Sequence, residues 1–213
     1  MFAGHLGVSF AAKAAVPRIP LWIYFLAALW LDLVGSGLLI FGVEAMDAAP
    51  GRNQLSALHP KQMIFSHSLM GAIVFSLIIG GLALLKRTGR WLPSLLIVAG
   101  VAFSHWLLDI VAHSDVPLRN TTIGLGLWRD PQWLAILELF ILYACAFAYA
   151  YTLPPDTVFG RRALYILLAG LTVIQLYVSF GPRPSSEVIM ATMVFIAIIA
   201  LCVAADYTEK ARM

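Results

Sequence analysis

Six ionisable side chains sit inside otherwise apolar stretches of this sequence: Asp32, His67, His105, Asp109, His113 at the end of its stretch, and Glu138. An ionised group at the centre of a membrane helix costs roughly 3 kcal/mol on insertion scales, so such residues are read as functional and need partners. His105, Asp109 and His113 follow one another at i, i+4 and i+8, which stacks them along nearly one helical face. An H-x-x-x-D pair presents an imidazole nitrogen and a carboxylate oxygen about one turn apart, a donor set that suits a shared divalent cation. Zinc takes such ligands at about 2.0–2.2 Å, usually four in number, with one position left to water when the site is catalytic. Asp32 and His67, from other segments, complete two carboxylates and two imidazoles. The predicted metal ligands are therefore Asp32, His67, His105 and Asp109, with His5 and His113 as further candidates, and Asp32 and Glu138 are the candidate proton acceptors. Ser66 and Ser68 flank His67 and Ser104 precedes His105, so hydroxyls are at hand to orient the imidazoles.

The elements that must position these groups follow from composition. Of 213 residues, 61% are hydrophobic and 12% charged, against roughly 45–50% apolar in a soluble domain, which excludes a water-soluble globule. A formal charge of +3 is spread between apolar stretches without a basic stripe, so nucleic acid is not an expected partner. Cys145 and Cys202 lie in apolar stretches and form neither a disulfide framework nor a C-x-x-C pair. Crossing a hydrocarbon core of about 30 Å takes roughly 20 apolar residues in a helix. Six stretches qualify: residues 20–43, 62–85, 91–113, 133–153, 162–181 and 187–206. Lys86, Arg87 and Gly89, then Pro154-Pro155, then Gly181-Pro182-Arg183-Pro184 punctuate their ends. The first stretch lacks the form of a secretory signal and is read as a retained helix. The expected fold is all-α: a polytopic membrane protein of about six transmembrane helices plus a short N-terminal half-depth or amphipathic helix. It is one membrane domain, with residues 1–152 bearing the site and 153–213 serving as scaffold.

Orientation and depth sharpen the reading. Assigning Lys and Arg to alternate sides puts nine with the termini (Lys13, Arg18, Lys86, Arg87, Arg90, Arg161, Arg162, Lys210, Arg212) and five opposite (Arg52, Lys61, Arg119, Arg129, Arg183), which favours cytoplasmic termini in a bacterial inner membrane. At 1.5 Å rise per residue, Asp32 lies about 18 Å into an outward-running first span. His67 falls early in the second, His105 to His113 late in the third, and Glu138 early in the fourth, so all six share the outer half. If residues 4–16 fold back on the first span across Pro17-Arg18-Ile19-Pro20, His5 reaches nearly the depth of Asp32 while Lys13 snorkels to the interface. A surface amphipathic helix with a solvated His5 is the alternative. His59, Glu44, Asp47, Asp115 and Asp130 are read as loop residues, the carboxylates solvated, with Asp115 and Arg119 near the site mouth.

Phe2-Ala3-Gly4-His5-Leu6-Gly7, Leu31-Asp32-Leu33, Phe65-Ser66-His67-Ser68-Leu69, Ser104-His105-Trp106-Leu107-Leu108-Asp109 and Gly124-Leu125-Gly126-Leu127-Trp128, followed by Glu138, carry a resemblance. The chain resembles, over about residues 1–152, the bacterial integral-membrane proteins labelled predicted membrane-bound metal-dependent hydrolases. More distantly, the order of these residues is similar to the all-helical zinc phospholipase C and single-strand nuclease superfamily. That resemblance implies that Asp32, His67, His105 and Asp109 hold one zinc, that His5 lies near a further metal through Asp109, and that His113 and Glu138 belong to a third position. Leu134 stands where the soluble enzymes have a second imidazole, and extra residues precede their ligating N-terminus, so one or two ions are expected rather than three.

The implied activity is metal-dependent hydrolysis of a phosphoester in a lipid or lipid-linked substrate, with Arg119, Arg129 or Asn120 orienting the phosphate. The rival is a proton- or ion-coupled transporter that uses the His/Asp cluster as a relay. No evident repeat and no polar path through the inner half weigh against it. Two aspartates beside the histidines weigh against haem ligation, a third account.

Overall fold

The computed structural model describes residues 2–48, 58–59, 63–83, 91–118 and 120–213. Along the chain the helices are α1 (Ala3–Ala15), α2 (Leu21–Ala28), α3 (Trp30–Ile40), α4 (Leu69–Ala83), α5 (Trp91–Ala112), α6 (Pro131–Thr152), α7 (Val158–Phe180) and α8 (Glu187–Arg212). Two short antiparallel strand pairs lie in the connections: β1 (Asp47–Ala48) with β2 (Leu58–His59), and β3 (Val116–Leu118) with β4 (Thr121–Ile123). Arg52, Lys61, Lys86, Arg87, Gly89, Arg90 and Arg119 lie outside the described residues.

The chain is an all-α polytopic membrane protein. Helices α5, α6, α7 and α8 are each long and apolar enough to cross a bilayer. Their outward faces carry large apolar residues such as Phe140, Phe147, Ile166 and Val203, all exposed, as side chains that meet lipid must be. The other two expected spans look different. Residues 20–43 form not one helix but a pair, α2 and α3, bent by 52° at Leu29. Neither Gly nor Pro stands at the break. Instead the His105 imidazole enters there, its Nδ1 donating to the Ala28 carbonyl at 2.7 Å, and a side chain intruding into the helical ladder is a sufficient cause of a kink. In the expected span 62–85 the helix starts only at Leu69, because the Ser68 hydroxyl caps it, accepting from the Gly71 N–H at 3.1 Å. His67 therefore lies in the turn before α4, which has 15 residues among those described.

Helix α1 is buried within the bundle rather than lying on its surface. Ala3, Gly4, His5, Leu6, Gly7, Ser9, Phe10, Ala12 and Lys13 are all enclosed, which excludes the solvated-histidine alternative. Phe10 sits edge-on to Phe25 with ring centroids 5.4 Å apart, in a core shared by α1, α2, α6, α7 and α8. Lys13 does not snorkel. It is 5% exposed, donates to the carbonyls of Pro17 at 2.5 Å and Ile19 at 2.9 Å, and forms an ion pair with Glu209 of α8. The Pro-rich turn supplies carbonyls that no helix uses, and the ammonium gathers them. Glu209 also accepts from the Leu21 N–H at 2.6 Å, so the end of α8 fastens the end of α1 to the start of α2. The N-terminus of α7 joins the same end, where the Asp156 N–H donates to the Arg212 carbonyl at 3.2 Å, so Lys13, Arg161, Arg162, Lys210 and Arg212 gather there.

After α5 the chain doubles back. The Leu125 and Gly126 N–H groups donate to the carbonyls of Ile110 (2.7 Å) and His113 (3.1 Å), satisfying orphan acceptors at the helix end. Gly124 has φ +152°, and a Cβ there would lie 1.9 Å from the His113 oxygen, so only glycine allows this closure. Cys145 and Cys202 are free and half-buried.

Candidate metal centre

Five of the predicted ligands converge. His5 comes from α1, Asp32 from α3, His67 from the turn before α4, and His105 and Asp109 from successive turns of α5. Asp32 Oδ1 lies 3.5 Å from His67 Nε2 and 3.6 Å from His105 Nε2. Asp109 Oδ2 lies 3.3 Å from His105 Nε2 and 3.9 Å from His67 Nε2, while its Oδ1 lies 3.5 Å from His5 Nε2. The His5 and His105 rings are stacked, with centroids 3.8 Å apart and planes 10° from parallel. Two overlapping triads result, His5–His105–Asp109 and Asp32–His67–His105, each with ligand atoms all within 4.8 Å of one another. This buried His/Asp group can hold a metal ion.

The groups behind the ligands bear out that capacity. A carbonyl can only accept, so the Ala28 oxygen fixes the proton of His105 on Nδ1 and leaves the Nε2 lone pair facing Asp32 and Asp109. Ser66 does the same for His67. Its hydroxyl donates to Glu44 Oε2 at 2.6 Å, so it accepts from His67 Nδ1 at 2.7 Å and turns Nε2 into the cluster. Glu44 also accepts the N–H groups of Phe65 at 2.7 Å and Ser66 at 2.8 Å. Glu44 is buried at 5% exposure, a correction to its reading as a solvated loop carboxylate. Its three bonds to one turn explain why it lies inside. Ser68 and Ser104 orient no imidazole; the first caps α4 and the second donates to the Val101 carbonyl at 2.7 Å.

His5 is wholly buried and neither of its ring nitrogens makes a hydrogen bond. A buried polar group left in that condition costs about 1–3 kcal/mol, and coordination by Nε2 beside Asp109 would satisfy that nitrogen. A close contact holds His67 in place on the other side: a Cβ on Gly35 of α3 would lie 2.5 Å from Met63 Cε, 2.9 Å from Ser66 Oγ and 3.2 Å from His67 Cε1. Glycine at that position lets the His67 turn lie directly against α3.

The remaining site candidates, His113 and Glu138, stand outside both triads but line the same cavity as Asp32, His67 and Asp109. His113 follows the last residue of α5. Glu138 of α6 is occupied with α1: its Oε2 accepts the Phe2 N–H at 2.5 Å and the Gly4 N–H at 3.3 Å, where an anion suits the positive end of a helix. Gln175 of α7, fully buried, accepts the Ala3 N–H at 3.0 Å and donates to Ser179 at 3.0 Å. Gln175 is uncharged and so stands outside the set of ionisable candidates, but an amide in an apolar span with Ser179 four residues later is its signal in the sequence. Asn120 and Arg129 are exposed, and neither lines the cavity; Arg119 lies outside the described residues.

The cavity has a volume of about 300 Å³. Asp32, His67, Asp109, His113 and Glu138 line it, together with residues of α7 and α8 such as Val178, Val194 and Ile198. The last two helices thus shape the site as well as brace it. No family model, no curated protein and no solved structure matches this chain.

Proposed function

We propose that the chain is a membrane-embedded metal-dependent hydrolase that acts on a phosphoester of a lipid or lipid-linked substrate. The observation that carries this reading is the pair of triads sharing His105 beside a cavity lined mostly by apolar residues. Mixed imidazole and carboxylate donors favour zinc, in one or two positions. Asp32, His67, His105 and Asp109 Oδ2 would hold one ion, and His5 with Asp109 Oδ1 a second. Bound there, a divalent ion supplies a water of pKa near 7 and a Lewis acid for the phosphoryl oxygen.

The chain's own residues have separate tasks in this scheme. Asp32 has the most open carboxylate of the cluster, with its side chain 32% exposed against 5% for Asp109, so it is the group placed to take a proton from the attacking water. Ala28, Ser66 and Glu44 hold the imidazoles in the ligating tautomer. Glu138 positions His5 by anchoring α1. The gathering of basic residues at the far end of the bundle supports cytoplasmic termini, which would put the cluster nearer the outer face of a bacterial inner membrane. Elemental analysis of purified wild type and His105→Ala tests the first step, and release of phosphate or alcohol from phospholipids in detergent tests the second. Equal, negligible metal in both proteins removes the hydrolase, and turnover that requires a transmembrane gradient replaces it with a carrier.

A further inference from the structure

Six residues of α8 face the cavity: Met190, Met193, Val194, Ala197, Ile198 and Leu201. Their spacing is i, i+3, i+4, i+7, i+8 and i+11, a continuous stripe along one side of the helix. At 1.5 Å per residue the stripe is about 16 Å long, close to half of a roughly 30 Å hydrocarbon core, the depth filled by the chains of one leaflet. Met46 and Met63 join Met190 and Met193 on the lining, so four of the seven methionines in the chain are at this one cavity. Methionine side chains are flexible and polarizable and adapt to apolar ligands of variable shape.

Tyr177 of α7 and Met193 of α8 both line the cavity and are 43% and 49% exposed. Their neighbours Leu176, Ile189 and Ile196 are exposed and apolar, the character of a face in contact with lipid tails rather than water.

We infer that a lateral portal lies between α7 and α8 at Tyr177 and Met193, and that the α8 stripe is a binding track for one hydrocarbon chain of a phosphate-headed lipid whose head group lies at Asp32, His67 and Asp109. The inference deepens the hydrolase reading and rests on it for the fate of the head group. It assigns the substrate class by its tail: a flexible chain long enough to fill one leaflet, entering from the bilayer and not from water. Short-chain or water-soluble phosphoesters reach the same polar groups but leave the track empty.

The test needs binding alone. The full-length protein is placed in phosphatidylcholine nanodiscs containing a small fraction of phosphatidic acid with a photoreactive diazirine at the end of one acyl chain. Illumination and peptide mapping then locate the chain. Label is expected on Val194, Ile198 and Leu201, and Ala197→Trp, which fills the track, is expected to lower it about tenfold while bound metal stays at the wild-type level. Label confined to the outward residues Phe195, Ile199 and Val203 in wild type overturns the proposal, as does undiminished track labelling in a folded Ala197→Trp protein. Should that variant fail to fold, the wild-type map decides by itself. Metal analysis of the same samples separates the two readings: track labelling without metal removes the hydrolase but keeps the lipid site, and metal without track labelling does the reverse.

Discussion

The imidazoles of His5 and His105 lie face to face, 3.8 Å between centroids and 10° from parallel, although one comes from the first helix of the chain and the other from the fifth. Both Nε2 atoms are directed at Asp109, each to its own oxygen. The stacking makes His105 common to both triads, whereas His5 belongs to one.

His105→Ala is therefore expected to abolish metal binding altogether. His5→Ala should leave the ion held by Asp32, His67 and His105, and His113→Ala should leave the metal content unchanged. The metal-to-protein ratio by elemental analysis checks all three, and an unaltered ratio in His105→Ala contradicts the shared-ligand geometry.

Ser66→Ala and Glu44→Gln remove no ligand, yet each frees the His67 ring to rotate. Supports of this kind are worth about 10–100-fold in metal affinity, so competition against a chelator should show a weakening of that size. A Glu44→Gln protein with wild-type affinity would mean that the Ser66 hydroxyl orients the ring alone.

Gly35→Ala places a methyl group against Met63, Ser66 and His67. Overpacking of this sort destabilises by about 1–3 kcal/mol, and here the displaced segment carries a ligand. Thermal unfolding in detergent should register the loss, and chelator competition should show weaker metal binding in the same variant.

Glu138→Ala strips the acceptor from two amides of α1 and is expected to cost about 1–3 kcal/mol. Glu138→Gln keeps an oxygen acceptor and should lie much closer to wild type in melting temperature. A Gln variant that melts normally but has lost all hydrolysis would assign Glu138 to proton transfer instead of positioning.

Lys13→Met leaves the partly buried Glu209 without its cation and is expected to destabilise the protein, by less than the roughly 3–5 kcal/mol of a fully buried broken pair. Lys13→Met with Glu209→Gln should be less damaging than the sum of the two single changes, since Gln still accepts from the Leu21 N–H. A double-mutant cycle followed by thermal unfolding measures the coupling.

The α5 pair was legible from the sequence because a helical period converts i, i+4 spacing directly into a shared face. Asp32, His67 and His5 were legible through depth, a weaker signal that places residues at one level without saying which way they point. The break at Leu29 was not legible, since no Gly or Pro marks it and its cause is His105, seventy-six residues away. Glu44 was hidden for a related reason: its burial depends on three donors from the 65–66 turn, and nothing local to Glu44 distinguishes it from a solvated carboxylate. His113 shows the limit of the periodic argument, because α5 ends one residue before it.

The fastening of α1 by Glu209 bears on how the protein is made. The ribosome produces His5 well before Glu209, the residue that secures its helix, so the enclosure of His5 must wait while α2 to α7 enter the bilayer. Capture of an ion in the full arrangement thus follows the synthesis of α8, and a nascent chain stalled before α8 would carry an unfinished centre.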